Sequence, residues 1–132
     1  KYGIVAFVLS ILMIARCINA EFVSPADLTK MPGWRIMQDG RLGNCITCHT
    51  IDWTGKTVKE KQGNFAPPLT SVGAKYNREQ LLQWVTDARV IHPNTLMPPY
   101  GSQVGIVNPS PNKPILDSEQ ISAVVDFLMM LK

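Results

Sequence analysis

Two stretches of the chain carry apolar residues at helical spacing. Ile121, Val124, Val125, Leu128 and Leu131 fall on one face of a helix. Asp117 or Ser118 can cap that helix, and Glu119 and Gln120 suit its first turn. Leu81, Leu82, Trp84, Val85 and Ala88 form a second stripe, opened by Asn77-Arg78-Glu79-Gln80. A first helix is expected between Pro25 and Asp39, interrupted by Pro32 and Gly33, and a short helix follows at residues 45–49. The polar run from Asp52 to Gly63 has no apolar periodicity and reads as a loop. Strand signals are weak apart from a short pair around Val104 to Val107. There are no internal repeats, and the predicted class is all-α, helices joined by Pro- and Gly-rich loops.

The beginning of the chain has a different character. Lys1 precedes an apolar run from Tyr2 to Ala15, then Arg16-Cys17-Ile18-Asn19-Ala20 and the acidic Glu21. This is the pattern of a secretory signal peptide, with cleavage expected after Ala20 and a single domain over residues 21–132. The run falls short of the ~20 residues that a bilayer span needs, so a retained anchor is the weaker alternative. A lipidated Cys17 is weaker still, because Arg16 stands where a small residue belongs. The whole sequence carries a net charge of +3; without Lys1 and Arg16, 11 basic residues face 10 acidic ones. That balance is no footprint of nucleic acid or of a membrane surface. Lys56, Lys59 and Lys61 form one local basic cluster, either a solvated loop or a docking point for an acidic partner or an anionic substrate.

Chemistry concentrates in Cys45-Ile46-Thr47-Cys48-His49. Two cysteines three apart followed by a histidine are what covalent attachment of a c-type haem requires. Residues three apart share a helix face, so both thiols can meet the two vinyl groups on one porphyrin edge, with His49 beneath the iron. A redox dithiol would want this motif inside a βαβ pattern, and a structural zinc site would want two further ligands. After cleavage at Ala20 the other candidates reduce to His92, far downstream. Haem attachment to thiols belongs outside the bacterial cytoplasm, in keeping with an exported chain.

The sixth iron ligand is then sought among soft or imidazole donors. Met97 lies in Asn94-Thr95-Leu96-Met97-Pro98-Pro99-Tyr100-Gly101, a polar loop whose prolines stiffen the backbone around a flexible thioether. A His/Met pair raises the potential, whereas His92 would give a bis-His iron of lower potential. Met31, Met37, Met129 and Met130 suit helices or core. An iron-bound imidazole also needs an acceptor for its second nitrogen. The carbonyl of Pro67, in Gly63-Asn64-Phe65-Ala66-Pro67-Pro68-Leu69, is one candidate, although such Pro-Pro segments often serve only as loops.

These residues carry a resemblance. Gly43-Asn44-Cys45-x-x-Cys48-His49, Gly63-Asn64-x-Ala66-Pro67-Pro68-Leu69, Val72-Gly73-Ala74-Lys75-Tyr76, Asp87-Ala88-Arg89 and the Met97 segment, with the closing helix, resemble the SoxX family, monohaem subunits of the sulfur-oxidation cytochrome complex SoxAX. Ala66 stands where that family usually has Gly. The resemblance implies a periplasmic cytochrome c fold around one haem c, with Cys45 and Cys48 attached to the ring, His49 and Met97 on the iron and the Pro67 carbonyl holding His49. It further implies a SoxA-like partner that bears the catalytic haem and couples thiosulfate to a cysteine of the SoxYZ carrier. The chain itself would pass electrons to a small cytochrome c and would hold no catalytic residue. A free diffusible carrier, or a cytochrome subunit of another periplasmic dehydrogenase, would share the same chemistry. The long connection from Gly101 to Leu116, mixing Val104, Ile106 and Val107 with Pro109, Pro111 and Pro114, is either partner-facing or a plain tether.

Overall fold

The computed structural model describes residues 28–53, 61–107 and 112–132. The expected signal segment with Cys17, residues 25–27 of the expected first helix, and Lys56 and Lys59 lie outside these. Among the described residues there are four α-helices: α1 (Pro32–Gln38), α2 (Val72–Lys75), α3 (Arg78–Asp87) and α4 (Ser118–Met129). Two 3-10 turns, Cys45–Thr47 and Ala88–Val90, complete the elements, and no strand is present among the described residues. No helix among them is long and apolar enough to cross a membrane.

Local chemistry explains the helix ends. Pro32 does not interrupt α1; it starts it, because its fixed φ suits the first turn, where an N–H has no intrahelical partner. Asn77 and Asp117 each close a capping box, the side chain accepting from the N–H of Gln80 or Gln120 while that glutamine's side chain accepts from the cap's own N–H. Each such cap stabilises its helix by about 0.5–2 kcal/mol. α2 was missed by periodicity, since four residues are too few to show a 3.6-residue repeat. The pair expected around Val104 to Val107 is instead a turn: the Ile106 N–H donates to the Gln103 carbonyl at 3.1 Å, and Gly105 has a positive φ of 72°. Glycine there removes the steric penalty that would have let alternation win.

α1 packs most extensively on α4, and α3 on the same helix. Gly33 makes the first contact so close that a Cβ there would lie 2.1 Å from the Ala123 carbonyl oxygen and 2.8 Å from the Phe127 Cβ. Beside this crossing Trp34, Trp53 and Phe127 form a triangle, with centroid separations of 5.1, 5.4 and 5.6 Å. Trp53 thus belongs to the core although its polar neighbours read as loop. Ile121, Val124, Val125, Leu128 and Leu131 are all buried, as their spacing predicts. Leu82 leaves the predicted stripe of α3 and faces out, and Met130 is likewise exposed, just past the end of α4. Gly73 also brings α2 near the end of α4, where a Cβ would lie 2.5 Å from the Leu128 carbonyl oxygen; the Gly73 N–H donates to the Leu131 carbonyl at 2.9 Å and the Lys132 Nζ donates to the Gly73 carbonyl at 2.6 Å.

The crossing yields a direct expectation. Gly33→Ala should lower unfolding stability by about 1–3 kcal/mol through overpacking. Gly40→Ala, where a Cβ meets nothing within 4 Å, should leave it nearly unchanged; equal denaturant midpoints for the two variants would contradict the packing account.

Candidate haem site

All four helices help to wall one cavity of about 480 Å³, within the range of roughly 300–1,000 Å³ usual for cofactor sites. Met37 of α1, Val72 of α2, Leu81, Trp84 and Val85 of α3, and Val124 and Leu128 of α4 supply apolar wall. Cys45, Cys48, His49, Pro67 and Met97, separated by up to 52 positions in sequence, all line this one space. His92 is not among the lining residues; its ring lies 5.2 Å from that of Trp84. Among the described residues no three His, Cys, Asp or Glu side chains gather into a group that could hold a metal ion.

The cysteine motif is built on a turn. Asn44 adopts the left-handed region (φ 48°), which asparagine tolerates better than most residues, and the 3-10 turn Cys45–Thr47 follows. In a 3-10 turn residues i and i+3 eclipse, so Cys45 and Cys48 project together without a full α-helix. The Cys48 and His49 N–H groups both donate to the Cys45 carbonyl, at 3.2 and 3.0 Å, and hold the histidine directly after the turn.

The segment 63–69 is laced along this motif by main-chain bonds. Gly63 N–H donates to Ile46 O at 2.8 Å, Ala66 N–H to Cys48 O at 2.9 Å and Leu69 N–H to Thr50 O at 2.9 Å. Gly63 is required by closeness, since a Cβ would come within 1.9 Å of the Thr47 carbonyl oxygen. Ala66 fits because, among the described non-glycine residues, positive φ is confined to Asn44. The lacing aims the Pro67 carbonyl at His49, 2.7 Å from Nδ1. A carbonyl only accepts, so Nδ1 carries the proton and Nε2 is the nitrogen free to bind a metal.

Electrostatics separate the two thiols. Burial pushes the Cys45 thiol up from 9.0 to about 12, with the neighbouring Cys48 adding to the shift against hydrogen bonds from its own backbone and from Tyr100. Tyr100 is itself raised, chiefly by burial and then by the two cysteines. Its hydroxyl, hydrogen-bonded to Cys45 in the cavity wall, is a site feature that motif reading passed over. The signal was only that an aromatic with a polar tip follows two prolines. Leu116, from outside any helix, is another wall residue that periodicity did not reveal.

A largely apolar slot with two thiols on one turn, an oriented imidazole and a thioether fits a covalently held haem. Residues 32–132 match the family model for cytochrome c. The chain therefore belongs to the cytochrome c family, electron-transfer proteins whose cofactor is covalently attached haem c. The fold is similar to that of a chain in the crystal structure of SoxXA from P. pantotrophus, with a TM-score of 0.67 and 34% identity, over 76% of this chain and 80% of that one. This similarity places it with the SoxX-type monohaem cytochromes. No curated protein sequence matches it significantly.

At the end of α3, Asp87 is the one buried charged residue among those described. The Arg89 guanidinium beside it holds its carboxyl down, from 3.8 to about 2. A depressed folded value means that the pair's contribution is present above the unfolded value and vanishes as the pH falls through the folded one. The stability difference between the protein and Asp87→Asn should accordingly be full above pH 3.8 and shrink as the pH approaches about 2. Denaturant titrations across that window measure it, and a difference independent of pH would remove the ion pair as its source.

Proposed function

We propose that the chain is the electron-accepting subunit of a SoxAX-like complex, working in the periplasm as residues 21–132 after removal of residues 1–20. Cys45 and Cys48 would carry the two thioether bonds, His49 would bind the iron through Nε2, and Met97 would supply the second protein ligand to it. The Pro67 carbonyl keeps the imidazole in one tautomer and one orientation. When bound, haem c supplies a one-electron couple, which the His/Met pair sets towards the oxidising side. The apolar wall excludes water and so limits reorganisation around that charge change.

The observation that carries this reading is the meeting of two thiols, an anchored histidine and Met97 in one cavity, on a chain similar to one in the SoxXA crystal structure. A SoxA-like partner would hold the catalytic haem and couple thiosulfate to the carrier cysteine of SoxYZ; the electrons released would pass through this chain to a small cytochrome c. The role of a subunit, as against a free carrier, is supported by the connection after Gly101. There Val104 and Val107 are 79% and 85% exposed, and Ile106 and Ile115 are exposed as well. Apolar side chains held in water at these positions favour a partner surface.

Two experiments test the reading. Met97→Ala should abolish the far-red band of thioether-ligated ferric haem and lower the potential; an unchanged spectrum would assign the ligand elsewhere. The purified protein assembled with a SoxA-type cytochrome should become reduced when thiosulfate and SoxYZ are added together. Failure to reduce, with both haems intact, would overturn the SoxAX-like role and leave a free carrier or a subunit of another periplasmic dehydrogenase.

A further inference from the structure

The segment Ile91–Tyr100, which carries Met97, forms a loop whose two ends meet at the end of α3. At its start the His92 N–H donates to the Ala88 carbonyl at 2.8 Å. Just past its end the Gly101 N–H donates to the Thr86 carbonyl at 2.9 Å. Between these points lies a charged pair that does not line the haem cavity. Asp87 accepts from Arg89 Nε at 2.8 Å, from Nη2 at 2.7 Å and from the Arg89 N–H at 3.1 Å. Both partners of the pair also reach across to the far side of the loop. The Ser102 hydroxyl hydrogen-bonds to Asp87, and Arg89 Nη2 donates to the Val104 carbonyl at 2.8 Å.

The turn that presents this carbonyl is itself set by Gly105, whose positive φ fixes the tilt of the peptide joining Val104 to it. A Cβ on Gly105 would lie 3.8 Å from Arg89 Nη1, so the guanidinium sits directly under the turn. The planar fork of the guanidinium holds the carboxylate through two parallel N–H groups while also reaching a carbonyl, a bidentate geometry that the single ammonium of a lysine does not reproduce.

We propose that Asp87 and Arg89 are positioning residues for the sixth iron ligand: they form a clamp that closes the Met97 loop and keeps its thioether over the cavity. The proposal rests on Met97 being that ligand. Opening the clamp frees the loop while α3 and α4 stay folded, because the capping boxes and the core triangle lie elsewhere. An exogenous ligand then competes for the iron, and its apparent affinity rises with the fraction of open loop.

The test uses the haem-loaded chain with Arg89→Ala and, as the milder change, Arg89→Lys. Imidazole should bind ferric Arg89→Ala several-fold more tightly than the parent, with Arg89→Lys between them, while helical circular dichroism is unchanged. Amide exchange at Gly101 should quicken in the same order, a readout that does not involve Met97. Imidazole affinity and Gly101 exchange equal to the parent's in both variants would overturn the clamp. So would a change seen only together with loss of helix. A parent lacking the thioether band would remove Met97 as ligand, and the Gly101 exchange would then decide the clamp by itself.

Discussion

Everything around the haem site depends on how closely α1 approaches α4. With no side chain at Gly33, the backbone of α1 rests on the Ala123 carbonyl, and this nearness lets Trp34 stack on Phe127 and brings Trp53 against both. The same face of α1 then carries Met37 into the cavity wall, and the chain leaving α1 turns at once into the cysteine motif. A chain of this size has little core of its own to spare. The aromatic triangle supplies a rigid side to the slot that does not depend on the cofactor.

From that rigid side the site is assembled mostly by main-chain hydrogen bonds. The motif turn, the strap at 63–69 and the ends of the Met97 loop are all tied by backbone N–H groups to backbone carbonyls. Side chains enter where charge or chemistry is needed: His49, Met97, the two thiols and the Asp87–Arg89 pair. The Arg78–Asp126 contact between α3 and α4, at 2.9 Å, is by contrast well exposed on both sides and contributes little.

The amphipathic helices were readable from the residues because apolar spacing and capping signals agree there, as at Asp117 with Gln120. The placing of Cys45, Cys48 and His49 together on one turn in the cavity wall was readable because covalent haem attachment demands a fixed local spacing. Trp53 and Leu116 were not, since each sits in a polar stretch and is buried by contacts distant in sequence. Pro32 misled as an apparent interruption because proline both ends and begins helices, and only the position relative to the first turn decides which. The Pro67 carbonyl could be named as a candidate but not chosen by sequence, since what aims it is the lacing of 63–69 against 46–50.

That lacing has a consequence for how the site would respond to substitution. The atom that holds the histidine is a peptide oxygen, and so are the atoms that place it. Replacing the side chain of Asn64 would leave these bonds in place, and truncating Phe65 or Leu69 would change the cavity wall without cutting a tie; only Gly63, where a Cβ would meet the Thr47 carbonyl, resists alanine on backbone grounds. Adding or deleting a single residue there would shift the register of every tie and move the Pro67 carbonyl away from the imidazole. The histidine's orientation is thus encoded in loop length more than in loop composition.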